Sequence, residues 1–185
     1  MLSVTSTALP DVKIITPARH GDQRGFFSET WNREAMRAAG VDADFVQDNH
    51  SLSGPVGTVR GLHFQSAPFA QDKLVRVSRG RILDVAVDLR RSSPTYGQHV
   101  AVELSAENWR QLWVPVGFAH GFCTLEPDTE VQYKVTAPYS AANDHGVLWN
   151  DPDIGIDWPV SGAQALLSPK DQKQPRLAEL QPWFD

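Results

Sequence analysis

Residues 81–89 read RILDVAVDL, and their alternation decides the fold. In an extended chain Leu83, Val85, Val87 and Leu89 share one side, while Ile82, Asp84, Ala86 and Asp88 share the other. A period of two marks a strand, because successive side chains point to opposite faces. The pattern recurs in QHVAVEL (98–104), RQLWVPV (110–116) and EVQYKVTAP (130–138), and DKLVRVSRG (72–80) reads as a strand entering a glycine turn. At least six strands are predicted between about residues 45 and 136. No connection there carries a helix of a dozen residues, which argues against a doubly wound α/β fold and for an antiparallel sandwich or jelly roll.

The flanks differ from this middle. VKIITPARHGDQRGFFSET (12–30) opens like a strand and passes into a turn at GDQRG. TWNREAMRAAG (30–40) predicts a short helix, with Gly40 placed to end it. Beyond about residue 140 the chain turns irregular, through WNDPDIGIDWP (149–159) and PVSGAQALLSPKDQKQ (159–174), and its tryptophans are expected to cover an end of the sheet. A chain of 185 residues suits one domain, taken as residues 1–185. A domain of that size buries roughly two-thirds of its extended surface, enough for a core without staples.

With 17 basic and 22 acidic residues the formal net charge is -5. That balance offers no general attraction to a nucleic-acid polymer or an anionic membrane, though a local arginine cluster could still hold a small anion. The single cysteine, Cys123, cannot form an internal disulfide and fits a reducing compartment. The opening MLSVTSTALPDVKII lacks the basic and long apolar regions of a secretory leader, and no run of about 18 apolar residues occurs. A cytoplasmic location is expected.

Chemistry-bearing residues stand in VRGLHFQ (59–65), VPVGFAHGF (114–122), EVQYKV (130–135) and SPKDQK (168–173). Pro115, Gly117 and His120 resemble the P-x-G-x-x-H element of cupins, small jelly-roll barrels. The metal-binding form of that barrel pairs two histidines at i and i+2 and adds an acid. Here His63 is followed by Gln65, and Lys73 takes the acidic position. An amide and a cation in place of ligands weaken and repel a divalent ion, so no metal or other cofactor is expected.

A longer set of motifs lies in order along the chain: DQRGFFSET (22–30), QDNHS (47–51), RGLHFQ (60–65), KLVRVSRG (73–80), DVAVDLR (84–90), SPTYG (93–97), PVGFAHGF (115–122), YKVTAPY (133–139), WNDPDIGIDWP and SPKDQK. Together they resemble the dTDP-4-dehydrorhamnose 3,5-epimerase family over nearly the whole chain. The resemblance implies a cupin-like, metal-independent homodimer. It also implies epimerisation at C3 and C5 of dTDP-4-dehydro-6-deoxy-D-glucose.

That chemistry is coherent with the residues present. A ketone at C4 acidifies the hydrogens on C3 and C5, and inversion takes a proton from one face and returns one to the other. Histidine, with a pKa of about 6.5, suits the base, and tyrosine, at about 10, suits the acid. His63 and Tyr133 are assigned these roles, as the resemblance also implies. A carbon acid roughly 10 pKa units above histidine makes the transfer about 14 kcal/mol uphill, so charge on the C4 oxygen needs stabilisation. Lys73 is the candidate by family position and by its charge. Asp171 resembles the family carboxylate that orients the base, and His120 a second pocket histidine.

For a nucleoside diphosphate, Arg24 and Arg60 offer forked hydrogen bonds. The resemblance adds Glu29, Gln47, Asn49 and Lys170 as substrate contacts, and Phe27 and Tyr139 could stack on the thymine or pack around it. Asp144 lies near an acidic contact position, in a stretch (HGVLWNDPD, 145–153) that departs from the commoner family pattern. In an ideal strand Arg60 and His63 face opposite sides, so a bulge or turn at Gly61, or a reach across a dimer interface, is required. The resemblance further implies that Arg24 and Glu29 can complete a neighbouring subunit's site. The competing readings are a mono-epimerase acting at C3 or C5 alone, a sugar 3,4-ketoisomerase, and a non-enzymatic carbohydrate-binding cupin.

Overall fold

The computed structural model describes residues 2–185. Its strands, in chain order, are β1 (Ser3–Ser6), β2 (Lys13–Thr16), β3 (His20–Asp22), β4 (Gly25–Phe27), β5 (Gln47–Ser53), β6 (Val59–Gln65), β7 (Lys73–Arg79), β8 (Arg81–Asp88), β9 (His99–Ser105), β10 (Gln111–Val114), β11 (Phe118–Thr124), β12 (Thr129–Val135) and β13 (Asp144–Gly146). They form a six-stranded sheet, β1-β2-β10-β7-β12-β5, facing a five-stranded sheet, β13-β6-β11-β8-β9, with β3-β4 as a separate hairpin. Every pairing between these strands is antiparallel. This is the predicted antiparallel jelly roll, mainly β, with short helical pieces and an irregular C-terminal segment.

The two faces of β8 enter different cores. Ile82 and Ala86 join Val75, Val77, Leu104, Leu112, Phe122 and Val131 between the sheets. Val85, Val87 and Leu89 join Val59, Leu62, Phe64, Ala119 and Cys123 on the outer face of the five-stranded sheet. A one-residue slip of β8 would exchange Val85 and Val87 for Asp84 and Asp88, so burial pins the register. Trp149 and Trp158 lie on that outer face with Ile154, Leu177 and Leu180. The irregular tail therefore covers a face of the sheet, not the end predicted for its tryptophans. A strand whose second face is also apolar needs a covering layer, and a tail rich in tryptophan supplies one.

The predicted helix is α1 (Arg33–Ala38), opened by the Asn32 side chain, which accepts from the Ala35 N–H, and followed by Gly40 at φ +80°. Met36 packs with Ile15, Leu74 and Trp113 on the outer face of the six-stranded sheet. GDQRG, read as a turn, is the tip and flanks of the exposed β3-β4 hairpin.

Candidate active site

Between the sheets a cleft of about 180 Å³ opens. Ser51 of β5, Lys73 of β7 and Tyr133 of β12 line it from the six-stranded sheet. Arg60 and His63 of β6, His120 and Phe122 of β11 and Asp144 of β13 line it from the five-stranded sheet. His63 and Tyr133 thus approach the same space from facing walls.

The parity conflict between Arg60 and His63 is resolved by a bulge. On β11, His120 pairs with His63 and Phe122 with Arg60, so three steps along β6 match two along its neighbour. The extra residue turns both side chains to the cleft. Gly61, at φ +132°, allows it: a Cβ there would stand 2.5 Å from Gly121 Cα and 2.9 Å from the His120 carbonyl oxygen. Arg60 then crosses to β5, where Nε donates to Ser53 Oγ at 3.1 Å.

His63 Nε2 lies 2.5 Å from Asp171 Oδ1, and Asp171 is 2% exposed. Burial alone would raise the Asp171 carboxyl. Its hydrogen bonds with His63 and Ser168 and from the Gly61 N–H, with the His63 charge, outweigh burial and hold it below the ordinary carboxylate value. An ionised Asp171 makes Nε2 the donor and leaves Nδ1 as the nitrogen with a free lone pair. A 3-10 turn at Asp171–Lys173 presents the carboxylate to β6.

A second pair lies deeper. His120 Nε2 is 2.7 Å from Asp84 Oδ1, with Asp84 fully buried and its Oδ2 without a partner among the described residues. Lys73 is 7% exposed, and its Nζ donates to the His63 carbonyl at 3.2 Å. Burial pulls the Lys73 ammonium down to about 8, with Asp144 and Asp84 opposing the fall. The Tyr133 phenol is raised, chiefly by burial, so it stays protonated at neutral pH.

At the mouth, Asp144 Oδ2 accepts from Tyr139 Oη at 3.1 Å and from Lys170 Nζ at 2.5 Å. Gln47 and Asn49 share the cleft-side face of β5 with Ser51, joined by a 2.8 Å bond from Gln47 Nε2 to Asn49 Oδ1. The structure thus brings His63, Asp171, Lys73, Tyr133, His120, Arg60, Asp144, Tyr139 and Lys170 to one cleft or its rim. It does not bring Arg24, Phe27 or Glu29 there. Arg24 pairs with Asp22 at the exposed hairpin tip, Phe27 is 71% exposed, and Phe27 and Glu29 line a separate hollow beside α1.

Asp84 and Gln65 carry roles here that were not assigned from the sequence. The available signal was an acid interrupting the apolar inner side of β8; its partner His120, 36 residues on, is visible only once β8 and β11 pair. Gln65 stands at the second cupin histidine position, with Nε2 donating to the Phe69 and Pro138 carbonyls and Oε1 accepting from the Ser140 N–H. That committed amide and the Lys73 ammonium do not fit a divalent ion. No group of three or more candidate ligands gathers among the described residues.

A family model described as dTDP-4-dehydrorhamnose 3,5-epimerase matches residues 6–179. The Sinorhizobium fredii protein of that name is 57% identical over 175 residues, covering 95% of this chain and 89% of the relative. Among solved structures, the Bacillus anthracis dTDP-4-dehydrorhamnose 3,5-epimerase with TDP and PPi bound superposes with a TM-score of 0.92 at 52% identity, covering 95% of this chain and 99% of that one. The Legionella pneumophila dTDP-6-deoxy-D-glucose-3,5-epimerase in complex with dTDP-4-keto-L-rhamnose gives 0.93 at 43% identity, covering 98% and 95%.

Proposed function

Because the chain belongs to the dTDP-4-dehydrorhamnose 3,5-epimerase family, we propose that its cleft inverts C3 and C5 of dTDP-4-dehydro-6-deoxy-D-glucose with His63 as base and Tyr133 as acid. The observation that carries this reading is the approach of His63 and Tyr133 to one cleft from opposite sheets. His63 takes the proton from carbon, and the C–H electron pair moves toward the C4 carbonyl, whose oxygen becomes anionic. The Lys73 ammonium, the buried cation of the cleft, meets that charge in a low-dielectric setting. Tyr133 then delivers its proton to the opposite face of the same carbon. Asp171 stabilises the imidazolium formed in the first step, and Asp84 holds His120 toward the sugar.

Arg60 binds the diphosphate, and Gln47, Asn49, Tyr139, Asp144 and Lys170 surround the nucleotide and sugar. Arg24, Phe27 and Glu29 complete the cleft of a second copy in a homodimer. Support comes from the exposed β3-β4 hairpin, which carries Phe26 and Phe27 at 51% and 71% exposure, more apolar surface than an isolated arm needs. Among the described residues no helix is long and apolar enough to cross a membrane. A cytoplasmic location accords with the single, buried Cys123.

Incubation with the dTDP 4-keto sugar in deuterated water, read by NMR, tests the reaction. Label at both C3 and C5 with a rhamno product supports double epimerisation. Label and inversion at one carbon alone indicates a mono-epimerase, and no label at either carbon removes the proposal.

A further inference from the structure

Gln65 is 4% exposed, and its amide is fully engaged by two loops that frame the cleft mouth. Nε2 donates to the Phe69 carbonyl at 2.7 Å, in the segment leading to Lys73, and to the Pro138 carbonyl at 3.1 Å. Oε1 accepts from the Ser140 N–H at 2.8 Å. The last two bonds fall on either side of Tyr139, whose own N–H donates to Gln47 Oε1 at 3.0 Å. Three consecutive residues, 138–140, are therefore tied by backbone groups to inward side chains of β6 and β5. Tyr139 is 61% exposed, and its side chain is held only at the tip, where Oη donates to Asp144 Oδ2 at 3.1 Å, so the face of the ring lies open at the cleft mouth.

Ordering an exposed loop costs conformational entropy that would otherwise be lost on binding. Resting on the reading of the cleft as a dTDP-sugar site, we propose that Gln65 is a positioning residue: it fixes the 138–140 loop so that Tyr139 is set to receive the flat base before the nucleotide arrives. At the place where a metal cupin carries a ligand, this chain carries a loop clamp. Gln65 acts on ligand affinity through Tyr139 and not on proton transfer at His63.

The test is a two-residue cycle. Gln65→Met keeps the length of the side chain and removes the donors and the acceptor. TDP is the probe, its affinity followed by calorimetry, with kcat and KM on the 4-keto sugar and a thermal melt as the folding control. Expected is a rise in Kd for TDP and in KM of about tenfold, with kcat within about threefold. On a Tyr139→Ala background the same change should add almost nothing, because the clamp then has no ring to place. An unchanged Kd, a loss confined to kcat, or an equal loss on both backgrounds overturns the proposal. If Gln65→Met does not fold, amide exchange of Ser140 in the unmodified protein decides. Protection supports the clamp, and exchange at the rate of an open loop refutes it. Failure of the unmodified protein to bind TDP would sink the dTDP-sugar reading and the clamp with it, an outcome separable from a Gln65 variant that binds normally.

Discussion

Replacing Asp171 by asparagine removes one charge from the pair that orients the base and leaves its shape. In the present structure the carboxylate lies 2.5 Å from His63 Nε2 and is 2% exposed. A full charge pair at that distance, at an effective dielectric of about 20, is worth at most about 7 kcal/mol. The net loss is smaller, because the asparagine oxygen can still accept a hydrogen bond. A charge-assisted bond contributes about 1.5–3 kcal/mol net, so kcat should fall roughly ten- to 150-fold. The fall deepens if the amide NH₂ turns toward His63, since that selects the tautomer whose lone pair faces away from the substrate. The assay is steady-state turnover of the 4-keto sugar coupled to reduction of the product, with TDP affinity measured alongside. TDP binding should change little. The carboxyl also titrates below its ordinary value of 3.8 in the folded protein, so the folded state holds fewer protons in acid than the unfolded state. Its stabilisation is complete above that ordinary value and lost as pH falls through the lowered one, and Asp171→Asn should flatten that acid limb of a stability curve. Turnover within about twofold of the unmodified protein would refute the dyad.

Tyr133→Phe should leave His63 able to remove and return a proton on one face, so deuterium enters unepimerised substrate while product formation falls by at least about a hundredfold; unchanged product formation would exclude Tyr133 as the acid. Lys73→Ala should lower kcat far more than it weakens substrate binding, and in the unmodified protein turnover should decline as pH rises through about 8, where the ammonium loses its proton. A pH–rate profile flat across that range would remove Lys73 as the charge partner. If the hairpin completes a neighbour's cleft, then mixing the inactive His63→Ala and Arg24→Ala proteins and allowing subunits to exchange should restore partial turnover, because one hybrid cleft then holds both native residues. No recovery in a demonstrably mixed dimer would place Arg24 outside the partner's site.

Much of this cleft was legible in the residue types. A neutral-range base, a phenol and a lysine on separate strands were recognisable, and RILDVAVDL announced which of its side chains would share a face. Arg60 and His63 could not both face inward on a regular strand, and the sequence left two options open, a bulge or turn at Gly61 or a reach by Arg60 across a dimer interface. The register shift between β6 and β11 decides for the bulge. What permits it is the close passage of Gly61 against Gly121, two glycines 60 residues apart whose contact no local pattern contains. The pairing of His120 with Asp84 is equally non-local, and so is the clamp that Gln65 closes over residues 138–140.

Local alternation and the ordered motifs were enough to establish a β class, a family and a set of reactive groups, because side-chain parity and residue chemistry are properties of short stretches. Which groups meet was left to the tertiary structure. His63 and Asp171 stand 108 residues apart and come within 2.5 Å. That contact depends on sheet register and on a tail laid across the outer face, and both are set by the burial of two apolar faces at once. The tryptophans of the tail show the same division. Their number announced a covering layer, and only the packed sheet decided which surface they cover.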